Sequence, residues 1–124
     1  MIDDAGRQRG QPTRGEQLKT VGELTMSSQR EGDVHSVCVV GELDLATVDS
    51  VEQELERVEA TDAGLIVLDF SGLTFVDSTG IRLAVRAHAR SHANGERLSL
   101  RRGPAGVQRA FELCGVDRVL PFAD

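Results

Sequence analysis

"LIVLDFSGLTFVDSTGIRL", residues 65–83, joins an unbroken apolar run to a Ser71-Gly72 break, an acid, two hydroxyls, a glycine and the start of a helical period. Residues 64–70 read as a central strand covered on both sides, because a continuous apolar run between turn residues leaves no polar face. A helix follows from about 78 to 93 and closes near Asn94-Gly95, where glycine suits the left-handed residue past a helix end. Residues 71–77 are then a loop beyond the carboxyl end of a strand, where α/β sheets gather ligands and reacting groups.

On the N-terminal side, "LTMSSQRE" and "VHSVCVVGELD" flank Gly32-Asp33 and read as a β-hairpin. "TVDSVEQELERVEA" sets Val48, Val51, Leu55 and Val58 on one helical face and acids on the other, with Thr47 as N-cap. On the C-terminal side, "RLSLR" at 97–101 is a short strand, and Pro104 opens a third helix with Val107, Ala110, Phe111 and Cys114 on its inner face and Gly115 closing it. "VLPF" is a short apolar anchor. The order β, β, α, β, α, β, α implies an α/β fold with parallel strands, right-handed crossovers and one antiparallel hairpin strand. Residues 1–23 mix Gly, Arg, Gln and Pro without an apolar period and read as a flexible N-terminal arm, which leaves 24–124 as the single domain.

The bulk numbers narrow the function. The 124 residues are 40% apolar and 27% charged, a composition suited to one soluble domain. Residues 1–23 carry four basic and four acidic groups, so the remainder holds the whole net charge of −6. Such a surface repels phosphate backbones and acidic lipid, which argues against nucleic acid and membrane as partners and for a protein with a basic patch. Tyr and Trp are absent, so there is no aromatic platform for stacking bases. The longest apolar run, "LIVL", is far below the roughly 18 residues of a membrane span, and the first residues lack the apolar centre of a signal peptide; a cytoplasmic location is expected. Cys38 and Cys114 form no CxxC pair and read as small buried apolar residues.

The turn at 77–81 has two readings. One is a plain N-cap, worth about 1 kcal/mol. In the other, Asp77 is that cap, Val76 and Ile81 form the hydrophobic staple, and Ser78 at the first helical position is displayed outward beside Thr79 and Gly80, whose missing side chain admits another backbone. A phosphoryl group there adds about −1.5 to −2 charge, which free amides and the helix dipole would tolerate. A catalytic Ser78 is disfavoured. There is no GxSxG elbow, and His88 and His92 lie about 15 and 21 Å down the same helix. His35 sits near the hairpin turn. His88 and His92 at i, i+4 lack a third metal ligand, and no GxxxxGK[ST] or GxGxxG opens a helix. Arg82, Arg86 and Arg90 form one row along the helix and read as a solvated face or the rim of a contact surface.

The strand, "LDFSGLTFVDSTGIRL" and helix together resemble the phosphorylatable segment of STAS domains, specifically the bacterial anti-sigma factor antagonists. "GELD" at 41–44 is similar to a second signature of that family, and the likeness runs from about 24 to 122. The resemblance implies a mixed sheet with an N-terminal antiparallel hairpin strand, packed with three to four helices. It also implies a partner-switching module without enzymatic activity or a cofactor of its own. The dephosphorylated antagonist binds an anti-sigma factor that is also a GHKL-type serine kinase, and so releases the sigma factor. The kinase phosphorylates the serine aligned with Ser78, and a metal-dependent serine phosphatase restores it. ATP and Mg²⁺ belong to the kinase. Asp44, Asp77, Ser78, Thr79, Gly80 and Ile81 would form the partner-binding surface. Thr79 stands where a second serine is common, and the long arm is unusual. The alternatives are a STAS subunit of a sensory or transport-associated assembly, or a nucleotide-binding or hydrolysing enzyme.

Overall fold

The computed structural model describes residues 16–123. The elements run β1 (Glu16–Val21), β2 (Leu24–Glu31), β3 (Val34–Leu43), α1 (Val48–Glu59), β4 (Leu65–Val76), α2 (Ser78–Ala93), β5 (Leu98–Arg101), α3 (Ala105–Leu113) and β6 (Phe122–Ala123). They form one α/β domain whose six strands lie side by side in chain order. β1, β2 and β3 pair antiparallel, while β3, β4, β5 and β6 pair parallel across the three helical crossovers.

Burial alternates along the strands. Val37 and Val39 of β3, Ile66, Leu68 and Phe70 of β4, and Leu98 and Leu100 of β5 are buried, while Cys38, Val67, Asp69 and Ser99 between them are only partly covered. Residues of one parity meet the helices and those of the other face outward. The expectation of a strand covered on both faces is thus corrected: the outward face carries Asp69, with Arg101 of β5 beside it at 3.9 Å. Cys38 also lies there, half-covered, and Cys114 is exposed at the end of α3, so neither is the buried residue expected.

One core lies between the helices and the inner face. Val48, Val51, Leu55 and Val58 of α1 pack into it with Ile81, Leu83, Ala84 and Ala87 of α2 and with Val107 and Phe111 of α3. Phe111 stacks on Phe70 at 5.7 Å and meets Phe122 edge-on at 5.3 Å, fixing α3 to the sheet and the last strand to α3. α1 and α2 are joined by Arg90, which donates to Glu52 Oε2 and to Glu59 Oε1, each at 2.9 Å. Of the arginine row, Arg90 is therefore a seam between helices, Arg86 reaches the same Glu52 from the surface at 3.7 Å, and Arg82 faces outward.

Two segments differ from expectation. The last part of the stretch read as an arm, Glu16–Val21, is strand β1; residues 1–15 lie outside the described residues. Gly22, at φ +54°, turns the chain straight into β2, with Val21 opposite Leu24. That ladder joins β1 to the sheet, and Leu18 of β1 is 66% exposed. The expected loop at 71–77 is mostly strand, because β4 runs on to Val76. The Ser71 amide turns back to Asp69 Oδ1 at 2.8 Å, and two register shifts against β3 absorb the irregularity, so the Ser71-Gly72 break bends the strand without ending it.

Candidate functional site

The extended β4 delivers the Asp77-Ser78 turn beside the end of β3. The last ladder pair is Leu43 with Val76, and the Asp77 amide then donates to the Leu43 carbonyl at 3.2 Å. The "GELD" segment and the "DSTG" segment, 33 residues apart in the chain at Asp44 and Asp77, are thereby neighbours. Gly41 lets the β1–β2 turn come close to β3 on its other side. It adopts φ +112°, and a Cβ there would lie 2.1 Å from the Glu23 carbonyl oxygen, which accepts the Glu42 amide at 2.9 Å. The β1–β2 turn joins the same end of the sheet, a contribution that a Gly22-Glu23 turn signal between two strands would have disclosed.

Asp77 is the N-cap of α2, with extended backbone and Oδ1 accepting the Thr79 amide at 2.9 Å and the Gly80 amide at 3.2 Å. The Thr79 hydroxyl donates to the same oxygen at 2.5 Å. Partial burial pushes the Asp77 carboxyl upward, but the Thr79 hydroxyl and the Gly80, Thr79 and Leu45 amides outweigh it and hold the group below the usual carboxylate range. Ser78 is the first residue of the helix, exposed, and its hydroxyl has no hydrogen-bond partner among the described residues. The cap takes the Thr79 and Gly80 amides, so they are not free to hold a phosphoryl group as the sequence reading supposed.

Gly80 and Ile81 face inward. A Cβ on Gly80 would lie 2.7 Å from Val76 Cγ2 and 2.8 Å from Leu43 Cγ, so the glycine lets α2 close onto the two strand ends and does not open a path for another backbone. Ile81 and Val76 are both 8% exposed and share the core, as the staple reading expects. Asp44 is half-buried, its Oδ1 accepting the Ala46 amide at 3.0 Å in a tight turn. Thr47 occupies the N-cap position of α1, but its hydroxyl does not cap the helix. It donates back to the Glu42 carbonyl at 2.9 Å and accepts the Asp44 amide at 3.0 Å, which fixes the loop presenting Asp44.

Among the described residues no hydrolytic machinery assembles at Ser78. His35 starts β3, eight residues or about 26 Å of strand before Leu43, and its Nε2 is 2.8 Å from Ser28 Oγ. A cleft of about 340 Å³ is lined by Glu56, Arg90, Asn94 and Arg97, at the far end of α2 from Ser78. Its arginines are engaged, Arg90 by Glu52 and Glu59 and Arg97 by the carbonyls of Glu59, Thr61 and Ala63. Among the described residues no three His, Cys, Asp or Glu side chains are placed to hold a metal ion, and no helix is long and apolar enough to cross a membrane.

Residues 17–121 match the family model described as "Mlab, STAS domain". The chain belongs to the STAS-domain family. An anti-sigma factor antagonist from Mycobacterium paratuberculosis superposes on this STAS domain with a TM-score of 0.72 at 24% identity, over 80% of this chain and 84% of that one. A candidate anti-sigma factor antagonist from Thermotoga maritima gives 0.70 at 18% identity, over 78% and 84%. The antagonist SpoIIAA of Bacillus, in its unphosphorylated form, gives 0.62 at 22% identity, over 88% of each chain. These likenesses confirm the STAS fold expected from the two motifs.

Proposed function

We propose that this STAS domain is an anti-sigma factor antagonist, a binding module switched by phosphorylation of Ser78. The observation that carries the reading is the division of labour at the turn: Asp77 caps α2, and the Ser78 hydroxyl stands exposed and unpartnered beside it. Solved structures of SpoIIAA in unphosphorylated and phosphorylated forms support it by analogy of fold. Dephosphorylated, the domain binds an anti-sigma factor that is also a GHKL-type serine kinase, through a surface around Asp44, Asp77, Ser78 and Thr79, and so frees the sigma factor. Gly80 and Ile81 shape that surface from beneath. ATP and Mg²⁺ are the kinase's, and a metal-dependent serine phosphatase reverses the modification. The domain performs no catalysis and works in the cytoplasm.

The electrostatics suit a switch. A phosphoryl group on Ser78 adds a second anion next to the Asp77 carboxylate and near Asp44, with the Thr79 and Gly80 amides already used. Enclosing that cluster in an interface costs several kcal/mol of binding through repulsion and desolvation, roughly 10²-fold or more in affinity. Incubation with the anti-sigma factor kinases of the source genome and ATP, followed by mass spectrometry, tests this: phosphate on Ser78 is expected, and its absence with every such kinase overturns the reading.

The second reading is a STAS subunit of a sensory or transport-associated assembly in which the serine is unused. The match to the STAS-domain family model is as compatible with it as with the first reading. This second reading predicts stable association with that assembly, unchanged by Ser78→Ala and Ser78→Asp alike.

A further inference from the structure

The charges of the domain are split along the sheet. Residues 16–77 carry fourteen acidic and three basic side chains, whereas residues 78–123 carry three acidic and eight basic ones. Because the six strands lie in chain order, this is a division in space: β1 to β4 with α1 form an acidic half, and α2, β5, α3 and β6 a basic one. The whole-chain charge of −6 conceals it. An anion repelled by the first half is drawn to the second.

Within the basic half, α3 opens without a cap. Pro104 at the N-cap position makes no side-chain cap bond, and the first turn holds no acid. The Gln108 amide donates to the Pro104 carbonyl at 2.9 Å, but the three amides before it, of Ala105, Gly106 and Val107, have no partner among the described residues. Pro104, Ala105 and Gly106 are exposed, and a Cβ on Gly106 would meet nothing within 4 Å, so the approach to this turn is open.

A second feature points to the same place. Gln108 is 6% exposed, and its side chain folds back along the helix so that Oε1 accepts the Gly103 amide at 2.9 Å. A main-chain amide only donates, so that bond fixes which way the carboxamide is turned. Its Nε2 is left as a buried donor without an acceptor, beside the residue that precedes the N-cap. A buried donor of this kind calls for an acceptor from outside the protein. Arg109 adds charge. It is exposed, pairs with no acid among the described residues, and shares a helical face with Ala105, toward which long side chains lean.

We infer that the mouth of α3 is a binding site for a tetrahedral oxyanion, phosphate or sulfate, free or as the end group of a larger ligand. The first-turn amides hold its oxygens, Gln108 Nε2 donates to the oxygen that enters deepest, and Arg109 with the helix dipole balances the charge. The site is independent of Ser78, since Asp77 already takes the corresponding amides of α2.

The test titrates sodium phosphate, sodium sulfate and glycerol 3-phosphate into the full chain at constant ionic strength and follows amide chemical shifts. Saturable shifts confined to Ala105, Gly106, Val107 and the Gln108 side-chain amide are expected. Equal affinity for phosphate and glycerol 3-phosphate marks a free-anion site, and tighter binding of the ester marks the end group of a larger ligand. Gly106→Asp sets a carboxylate at the mouth, where there is room for it and where a helix start favours an acid, so the fold is kept and binding is expected to be lost. Gly106→Asn, of the same size without the charge, is expected to keep it. Arg109→Gln is expected to weaken binding roughly twofold to fivefold, the worth of one exposed charge. Shifts that grow linearly with concentration, that scatter over the other arginines, or that persist unchanged in Gly106→Asp overturn the site.

Discussion

The Asp77 amide donates to the Leu43 carbonyl at 3.2 Å, one step beyond the last paired residues of β3 and β4. This bond ties the end of one strand to the N-cap of the helix that leaves the next. The Asp44 turn and the Ser78 turn therefore share one rigid support, and the displayed serine does not depend on a free loop for its position.

Asp77→Ala removes the oxygen that satisfies two amides and the Thr79 hydroxyl, and is expected to cost about 1 kcal/mol, within a range of about 0.5–2. Asp77→Asn keeps an acceptor and should lose less. Urea denaturation orders the three proteins; equal midpoints for Ala and parent would show that the cap contributes nothing.

Gly80→Ala sets two effects against each other. Alanine is the better helix former by about 1 kcal/mol, but its Cβ falls 2.7 Å from Val76 Cγ2 and 2.8 Å from Leu43 Cγ. Overpacking costs about 1–3 kcal/mol. The net expectation is a lower melting temperature, read by calorimetry, and Gly106→Ala, where a Cβ meets nothing within 4 Å, should not show it.

His35 gives a pH dependence. Burial is the main cause that lowers its pKa below 6.5, aided by Arg57 and Arg30 and opposed by Glu54. The folded state therefore keeps the ring neutral while the unfolded chain protonates it. The stability this provides is present in full above about pH 6.5 and is lost as pH falls through that value toward the lower folded pKa. Urea midpoints at pH 7.5 and 5.5 should differ in the parent and differ less in His35→Gln. Asp77 acts at lower pH: its depressed pKa contributes stability above the unfolded carboxylate value of 3.8, lost as pH drops through the folded one.

Arg90→Met takes from Glu52 and Glu59, both on α1, the cation that α2 supplies to them, leaving Glu52 with Arg86 at 3.7 Å. The guanidinium is 29% exposed, so solvent screens the loss, and a cost of about 1–3 kcal/mol is expected, shrinking with added salt. Salt-dependent thermal melts of parent and variant check it. Phosphorylation at Ser78 should be unaffected, since Arg90 sits at the other end of α2.

Ser78→Ala is expected to bind the kinase constitutively, and Ser78→Asp to bind it weakly. The mimic carries one charge where phosphate carries about −1.5 to −2, so its effect is partial. Equal affinities for the two would refute the electrostatic account of the switch.

Much of the site was legible because its chemistry is local. Asp77 as cap, Val76 and Ile81 as staple, and Ser78 as displayed hydroxyl follow from positions within one helical turn, where a few backbone amides set the rules. Gly80 was misread because whether a missing side chain faces solvent or core depends on Leu43, which another strand supplies.

By itself, the sequence determined the three helices, the hairpin at Gly32-Asp33, the parallel order of the later strands and the place of Ser78 at the start of α2, since hydrophobic period and turn chemistry are written in neighbouring residues. Only the tertiary structure decided that the sheet is covered on one face, that "EQLKTV" is a strand, that β4 passes through Ser71-Gly72, and that Asp44 and Asp77 meet. Each of those depends on pairing between distant segments: backbone hydrogen bonds carry no side-chain pattern, and a chain end or a break becomes strand when a neighbouring edge is there to pair with it.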